Sequence, residues 1–295
     1  MSGIYDSVIV SGGKGMLGHA LADALRKRGV EPLIVDREEC DITSRQQVEQ
    51  LFQEHRPTLL LNCAAHTQVD KCEDEQELAN AINGDGTGYL AEASKEYGTY
   101  FTHFSTDFVF NGQSDRPYRP DDVTDPLSAY GKSKLNGEKR IQSVNPGNWL
   151  IVRTAWLFGR YGACFPDTIV KLAKAGRQLS IVNDQIGCPT YTVDLAETTL
   201  DLVERKAKGV FHASNLGIIS WHGFTEAILR AFQINVPVAS ISTAQWLAIR
   251  PKQAIRPAYS VLDCTKTDQL IGRSARHWQL ALDEYAAAMA EADKH

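Results

Sequence analysis

The stretch Ser7-Val8-Ile9-Val10-Ser11-Gly12-Gly13-Lys14-Gly15-Met16-Leu17-Gly18 decides the fold. Ser7–Val10 reads as a short buried strand. Glycines at 12, 15 and 18 then lead into a helically patterned segment, Met16–Arg28, that stops at Gly29. A glycine turn between a strand and a helix lets a phosphate approach the backbone, and the helix N-terminus faces that negative charge. The last glycine permits close helix–strand packing. The spacing of Gly12, Gly15 and Gly18 therefore predicts a dinucleotide pyrophosphate site at this turn. Lys14 hints at a different phosphate loop, but no Gly-Lys-Ser/Thr follows, so that reading is rejected.

Working outward, apolar runs alternate with helical patterns. Strands are expected at Pro32–Val35, Thr58–Asn62, Tyr100–Phe104 and Trp149–Val152. Helices are expected at Val48–His55, Leu78–Ile82, Tyr89–Tyr97 and Ala129–Ile141. This rhythm implies right-handed βαβ units. The fold class expected is α/β: a Rossmann-type doubly wound parallel sheet with a smaller C-terminal substrate-binding lobe. Residues 1–153 form the dinucleotide-binding domain, completed by a later segment at about 192–214, and residues 154–295 form mainly the lobe. Beyond Arg153 the pattern loosens. Helices are expected at Asp167–Ala175, Val193–Lys206, His222–Phe232 and Leu280–Glu291, and strands at Leu179–Val182 and Val210–Ala213. The Pro-containing stretch Val236–Arg256 reads as loop, and Asp115–Pro126 as a surface loop near the site.

Asp36 ends the second strand, about twenty residues beyond the glycines. A carboxylate there accepts the adenosine ribose hydroxyls of NAD. Arg37 follows at once and is suited to the 2′-phosphate of NADP, so NADPH and NADH both stay open. Asp41 and Ile42 border the adenine side, and Asp41 serves equally well as a helix N-cap.

Of the ten tyrosines, only Tyr130 has a lysine four residues on, Lys134, which puts the pair on one helix face. Upstream, Ser105-Thr106-Asp107 leaves a strand at the sheet's C-terminal edge, where open α/β sheets bind ligands. A phenol titrates near 10, too high for easy proton transfer at neutral pH, and a nearby ammonium should lower it. The triad Thr106, Tyr130 and Lys134 thus suits hydride transfer from a nicotinamide coupled to proton transfer by Tyr130.

These residues fall within longer phrases. They are Asn62-Cys63-Ala64-Ala65-His66-Thr67-Gln68-Val69-Asp70, Ser105-Thr106-Asp107-Phe108-Val109-Phe110, Tyr130-Gly131-Lys132-Ser133-Lys134-Leu135, Arg153-Thr154-Ala155-Trp156, Asn183-Asp184-Gln185-Ile186-Gly187-Cys188-Pro189-Thr190 and Arg256-Pro257. Together they resemble the extended short-chain dehydrogenase/reductases, and within them the dTDP-4-dehydrorhamnose reductase family. The resemblance runs from the first strand to about Lys266. It implies reduction of a 4-keto sugar nucleotide by NADPH or NADH. It sets Gly12, Gly15, Met16 and Leu17 along the pyrophosphate, Ala64, Ala65 and Thr67 beside the cofactor, and Thr154, Ala155 and Trp156 at the nicotinamide and sugar. On the sugar-nucleotide side it sets Val69, Thr106, Asp107, Trp156, Gln185 and Arg256. Some family members hold a divalent metal such as Mg2+ at a dimer contact, but no acidic residues here are assigned to one. Cys164 stands where the family usually has asparagine before Phe165. Tyr259 stands where it has asparagine before Ser260. Both departures fall in the substrate lobe.

Two other functions compete. An epimerase of the same superfamily would keep and recycle its NAD. A non-catalytic subunit resembling the regulatory subunit of methionine adenosyltransferase would bind a partner enzyme, but its relatives diverge in the Ala-Ala-His-Thr phrase that is intact here.

Composition agrees with a small-molecule enzyme. Against 31 Lys and Arg stand 36 Asp and Glu, for a formal net charge of -5, and no basic stripe suggests nucleic acid. No apolar run reaches membrane-span length, and no signal peptide is read. The six cysteines form no Cys-x-x-Cys pair and match no zinc spacing, so buried free thiols in a reducing cytoplasm are expected. A monomer or homodimer is anticipated. Glu73-Asp74-Glu75 reads as a helix start. His66 reads equally as a loop histidine or a cofactor neighbour, and Trp221 and Trp278 read as core.

Overall fold

The computed structural model describes residues 3–292. Six parallel strands form the central sheet: β1 (Val8–Ser11), β2 (Leu33–Val35), β3 (Leu59–Asn62), β4 (Tyr100–Thr106), β5 (Trp149–Thr154) and β10 (Gly209–His212). They lie in the order β10-β5-β4-β3-β1-β2. Helices α1 (Met16–Lys27), α2 (Arg45–His55), α5 (Thr87–Tyr97), α6 (Ala129–Val144) and α8 (Thr192–Glu204) cover its two faces. Alternate residues go to opposite sides. Val8, Val10, Leu59, Leu61, Leu150 and Val152 pack against Leu21 and Leu25 of α1 and Leu195 and Leu200 of α8. Ile9, Leu60, Phe101 and Ile151 pack against Phe52, Leu90 and Ile141 of α2, α5 and α6. Coverage of both faces explains why β1, β3 and β4 are buried along their whole length. Each such aliphatic side chain contributes about 1.5–3 kcal/mol of burial.

The lobe forms around the short strands β6 (Leu157–Phe158), β7 (Leu179–Val182), β8 (Ile186–Gly187), β9 (Thr190–Tyr191), β11 (Ile219–Ser220) and β12 (Val238–Ile241). Helices α7 (Phe165–Lys174), α9 (Trp221–Ala231), α10 (Thr243–Ile249), α11 (Thr265–Ile271) and α12 (Trp278–Ala292) complete the C-terminal half. The lobe's core is rich in aromatic residues, with Phe158, Tyr191, Phe224, Trp278 and Tyr285 in one cluster. Trp278 is core, as expected.

Several sequence-based expectations change. The stretch 236–256 is not all loop: β12 pairs in parallel with β7, and Ser242 and Gln245 form a reciprocal capping box that starts α10. The two helical segments expected at 78–97 are one continuous rod. Helix α4 (Gln76–Asn80) passes through a π-helical turn, Ala81–Gly86, into α5. Glu73 and Asp74 end helix α3 (Val69–Asp74) rather than begin one, and Glu73 accepts a 2.9 Å bond from the Ala129 backbone N–H. Ser44, not Asp41, caps α2; Asp41 instead folds its own turn by accepting from Thr43. No described helix is long and apolar enough to cross a membrane.

Candidate active site

The strand order reverses between β1 and β3, and a cleft of about 810 Å³ opens there along the C-terminal ends of the strands. This is the crevice that open α/β sheets use for ligands. At its floor the chain leaves β1 through Gly12, whose φ is +66°. A Cβ on Gly12 would sit 2.5 Å from the backbone nitrogen of Ala64. Only glycine allows the two loops to meet, so the N-terminus of α1 and the loop after β3 form one cradle. Thr154 adds a buried hydroxyl without a hydrogen-bond partner to the cleft wall. A bare backbone facing a helix N-terminus, with an unsatisfied buried hydroxyl further along, fits a dinucleotide.

One end of the cleft is lined by Asp36, Arg37, Asp41 and Ile42. Both Asp36 oxygens already accept backbone N–H bonds, from Lys14 at 3.2 Å and Arg37 at 2.9 Å. The Arg37 side chain is 81% exposed at the rim and lies 3.5 Å from Asp41. Lys14 is drawn away from the cleft, to Glu38 and Glu39.

At the other end, Ser128 caps α6 by accepting from the Gly131 N–H at 3.1 Å. The helix then runs close against the 3-10 turn Asp107–Val109. A Cβ on Gly131 would fall 2.2 Å from the Phe108 carbonyl oxygen, so glycine here brings Tyr130 to Thr106. Tyr130 also meets Phe108 edge-on at 5.6 Å. Thr106 donates to Asp107 Oδ1 at 2.9 Å and accepts from the Phe108 N–H. Lys134 follows one turn after Tyr130, with its side chain buried and lining the cleft. Asn83 ties the loop after β3 to α6, bonding both backbone groups of His66 and the Ser133 hydroxyl. The His66 ring turns to Glu75 at 2.7 Å. Beneath the site, Arg153 forks onto Glu138 at 2.8 and 2.7 Å, and Ser105 donates to the same carboxylate.

The electrostatics differ from the simple expectation. Burial holds the Tyr130 phenol above its ordinary range, opposed by a hydrogen bond to Thr106, and Lys134 does not lower it. Burial also brings Lys134 down to about 8, with Glu138 working against the shift. Burial pushes Asp107 up to about 6. A phenol kept protonated suits a proton donor.

The sequence-derived candidates Gly12, Gly15, Met16, Leu17, Asp36, Arg37, Asp41, Ile42, Ala64, Ala65, Thr67, Val69, Thr106, Asp107, Tyr130, Lys134, Thr154, Trp156 and Arg256 all line this cleft. Gln185 does not. It is buried in the lobe, where it donates to Thr243 Oγ1 at 3.0 Å and its carbonyl accepts from the Trp221 N–H. Trp221, read as core from sequence, stacks on Trp156 and lines the cleft, with Phe165 tilted against it at 4.4 Å. Cys164 also lines the cleft, and its thiol bonds Asp167 and Tyr285. All six cysteines are free; Cys63 and Cys264 are only partly buried. Among the described residues, no group of three or more His, Cys, Asp or Glu is placed to hold a metal ion.

A family model, the RmlD substrate binding domain, matches residues 6–291. The chain belongs to the RmlD family. Among its relatives is the spore coat polysaccharide biosynthesis protein SpsK of Bacillus subtilis, 40% identical over 94% of this chain and 96% of that one. The dTDP-4-dehydrorhamnose reductase of Aggregatibacter actinomycetemcomitans is 37% identical over 95% and 98% of the two chains. A crystal structure of dTDP-4-dehydrorhamnose reductase from Bacillus anthracis in complex with NADP superposes with a TM-score of 0.89, at 35% identity, covering 95% of this chain and 98% of that one. The cleft of this RmlD chain therefore sits in a family of nucleotide-sugar enzymes.

Proposed function

We propose that this protein reduces the 4-keto group of dTDP-4-dehydrorhamnose to give dTDP-L-rhamnose, with NADPH as reductant. The observation that carries this reading is the meeting of Thr106, Tyr130 and Lys134 on the wall of a cleft whose floor is the Gly12–Ala64 cradle. Reductases of the same family, similar along nearly their whole length, support it.

Gly12, Gly15, Met16 and Leu17 would hold the pyrophosphate against the start of α1. Ala64, Ala65 and Thr67 would flank the cofactor, and Thr154 would bond it near the nicotinamide. When bound, the reduced nicotinamide supplies the hydride. Tyr130 hands its phenolic proton to the oxygen that becomes the new hydroxyl. Thr106 turns its proton from Asp107 to the same oxygen and orients it. Lys134 would hold the nicotinamide ribose. Trp156 and Trp221, with Val69 and Arg256, bound the sugar-nucleotide end. The NADP complex of the Bacillus anthracis relative supports NADPH, as does Arg37 at the adenosine end. We assign nucleotide binding mainly to residues 1–153 with 192–214, and sugar binding to the later lobe. Six free cysteines suit a cytoplasmic enzyme.

The test is product identification. The protein is incubated with NADPH and the 4-keto sugar nucleotide generated in place, and the product is read by NMR. Formation of the rhamnosyl nucleotide supports the reading. Reduction of only the unepimerised 4-keto-6-deoxyglucose nucleotide would replace the sugar. Isomerised sugar without net NADPH loss would make the protein an epimerase.

A further inference from the structure

A buried chain of hydrogen bonds runs from the end of β1 to Lys134. Asn62 Oδ1 accepts from the Ser11 hydroxyl at 2.8 Å and from the Ala64 backbone N–H at 3.1 Å. A backbone N–H only donates, so it settles which end of the Asn62 amide faces it. Asn62 Nδ2 must then donate to His103 Nδ1, 3.1 Å away. A neutral imidazole that accepts at Nδ1 carries its proton on Nε2. His103 is fully buried, and burial holds it well below the usual imidazole range, so it is neutral. Its Nε2–H points at Lys134 Nζ, 3.2 Å away. An ammonium has three donors and no acceptor; only the free amine can receive this bond.

We infer that His103 is a positioning residue for the reduction: its Nε2–H is matched only by the uncharged Lys134 amine and so favours that form, and Lys134 takes up a solvent proton more readily as it exchanges this bond for acceptor oxygens in the cleft. The other groups facing Lys134 do not replace His103 in this role. On its own helix are the neutral Tyr130 and Glu138, whose carboxylate is already matched by Arg153. From the loop after β3 comes the thiol of Cys63, which burial keeps protonated. The consequence is a site in which the lysine's charge is coupled to filling the cleft. This rests on the reading of Lys134 as part of the reducing site.

The test uses the full-length protein with lysine labelled at 13Cε, and Lys134 assigned by loss of its signal in Lys134→Met. Its titration is followed with and without saturating NADP+, and again in His103→Gln, whose amide oxygen offers Nζ an acceptor. Without NADP+ the midpoint should lie near 8. Saturation should raise it by about one unit or more, and His103→Gln should raise the free midpoint by a similar amount. Burial alone also lowers a lysine, so an unchanged midpoint in His103→Gln overturns the role given to His103. A wild-type midpoint near the ordinary lysine value of about 10.4 overturns it too. A midpoint that NADP+ does not move overturns the exchange. Failure of NADP+ to bind would instead sink the cofactor reading, while the free-protein comparison still decides on His103. If His103→Gln does not fold, 15N spectra of the wild-type imidazole decide: a protonated Nε2 is expected, and a protonated Nδ1 is the contrary result.

Discussion

Trp221 lies flat on Trp156, with ring centroids 3.6 Å apart and planes 8° from parallel. The two indoles come from different parts of the chain. Trp156 follows β5 in a left-handed conformation, φ +49°, and Trp221 opens α9 after the Ser220 cap. A non-glycine residue at positive φ stores strain of about 1–3 kcal/mol, which the stack offsets. Trp221→Ala should therefore raise KM for the sugar nucleotide about 2- to 10-fold, the worth of an aromatic pair. NADPH affinity should stay within about twofold, since Trp221 is assigned to the sugar end and makes no hydrogen bond in the glycine loop. Initial-rate kinetics against each substrate separate the two effects. Equal losses for both would contradict the assignment of this stack to the sugar end.

Gly12→Ala places a methyl group 2.5 Å from the Ala64 nitrogen, at a φ of +66°. Strain of about 1–3 kcal/mol should appear as a lower Tm. NADPH binding, followed by fluorescence titration, should weaken at least about tenfold because the cradle must open. Normal affinity in a destabilised variant would place the pyrophosphate elsewhere.

Arg37→Ala tests cofactor choice. Loss of one phosphate-pairing guanidinium should raise KM for NADPH about tenfold and leave that for NADH nearly unchanged. An equal change in both would mean that Arg37 does not read the 2′-phosphate.

How much of this was legible in the sequence follows from the range of the forces involved. The glycine turn, the Tyr130–Lys134 spacing and the alternation of strands and helices are local signals, and they placed the glycine floor and the Tyr130–Lys134 pair; Ala64, Ala65, Thr67, Val69, Thr154, Trp156 and Arg256 were legible only through the family resemblance. Trp221 escaped because its stacking depends on β11 meeting β8 and α9 folding back, a tertiary arrangement without periodicity. Gln185 was misplaced for the same reason: its phrase resembles a family motif, but its amide faces Thr243 inside the lobe. The capping box at Ser242 and Gln245 was a readable signal that the surrounding prolines obscured. The Asn62–His103–Lys134 chain joins three elements of the fold and cannot be seen until the strands are in register.

Asp107 gives a pH signature. Its carboxyl, raised by burial to about 6, binds a proton more tightly in the folded chain than in the unfolded one, where aspartate titrates near 3.9. The resulting stability is present below about pH 4 and is lost as pH rises through about 6. Asp107→Asn does not titrate. Its unfolding free energy relative to wild type should therefore improve between pH 4 and 6, by on the order of 2–3 kcal/mol. Urea unfolding across that range measures the change. A constant difference would show that Asp107 is ionised in the folded protein throughout.

The central claim is that Tyr130 is the proton donor in a net reduction. The most direct measurement follows reduced-nicotinamide absorbance with the 4-keto sugar nucleotide present or absent, for wild type and Tyr130→Phe. The account predicts NADPH loss that requires the sugar, equals the product formed, and falls about 10²- to 10⁴-fold in Tyr130→Phe while NADPH still binds. Undiminished turnover in that variant would contradict it.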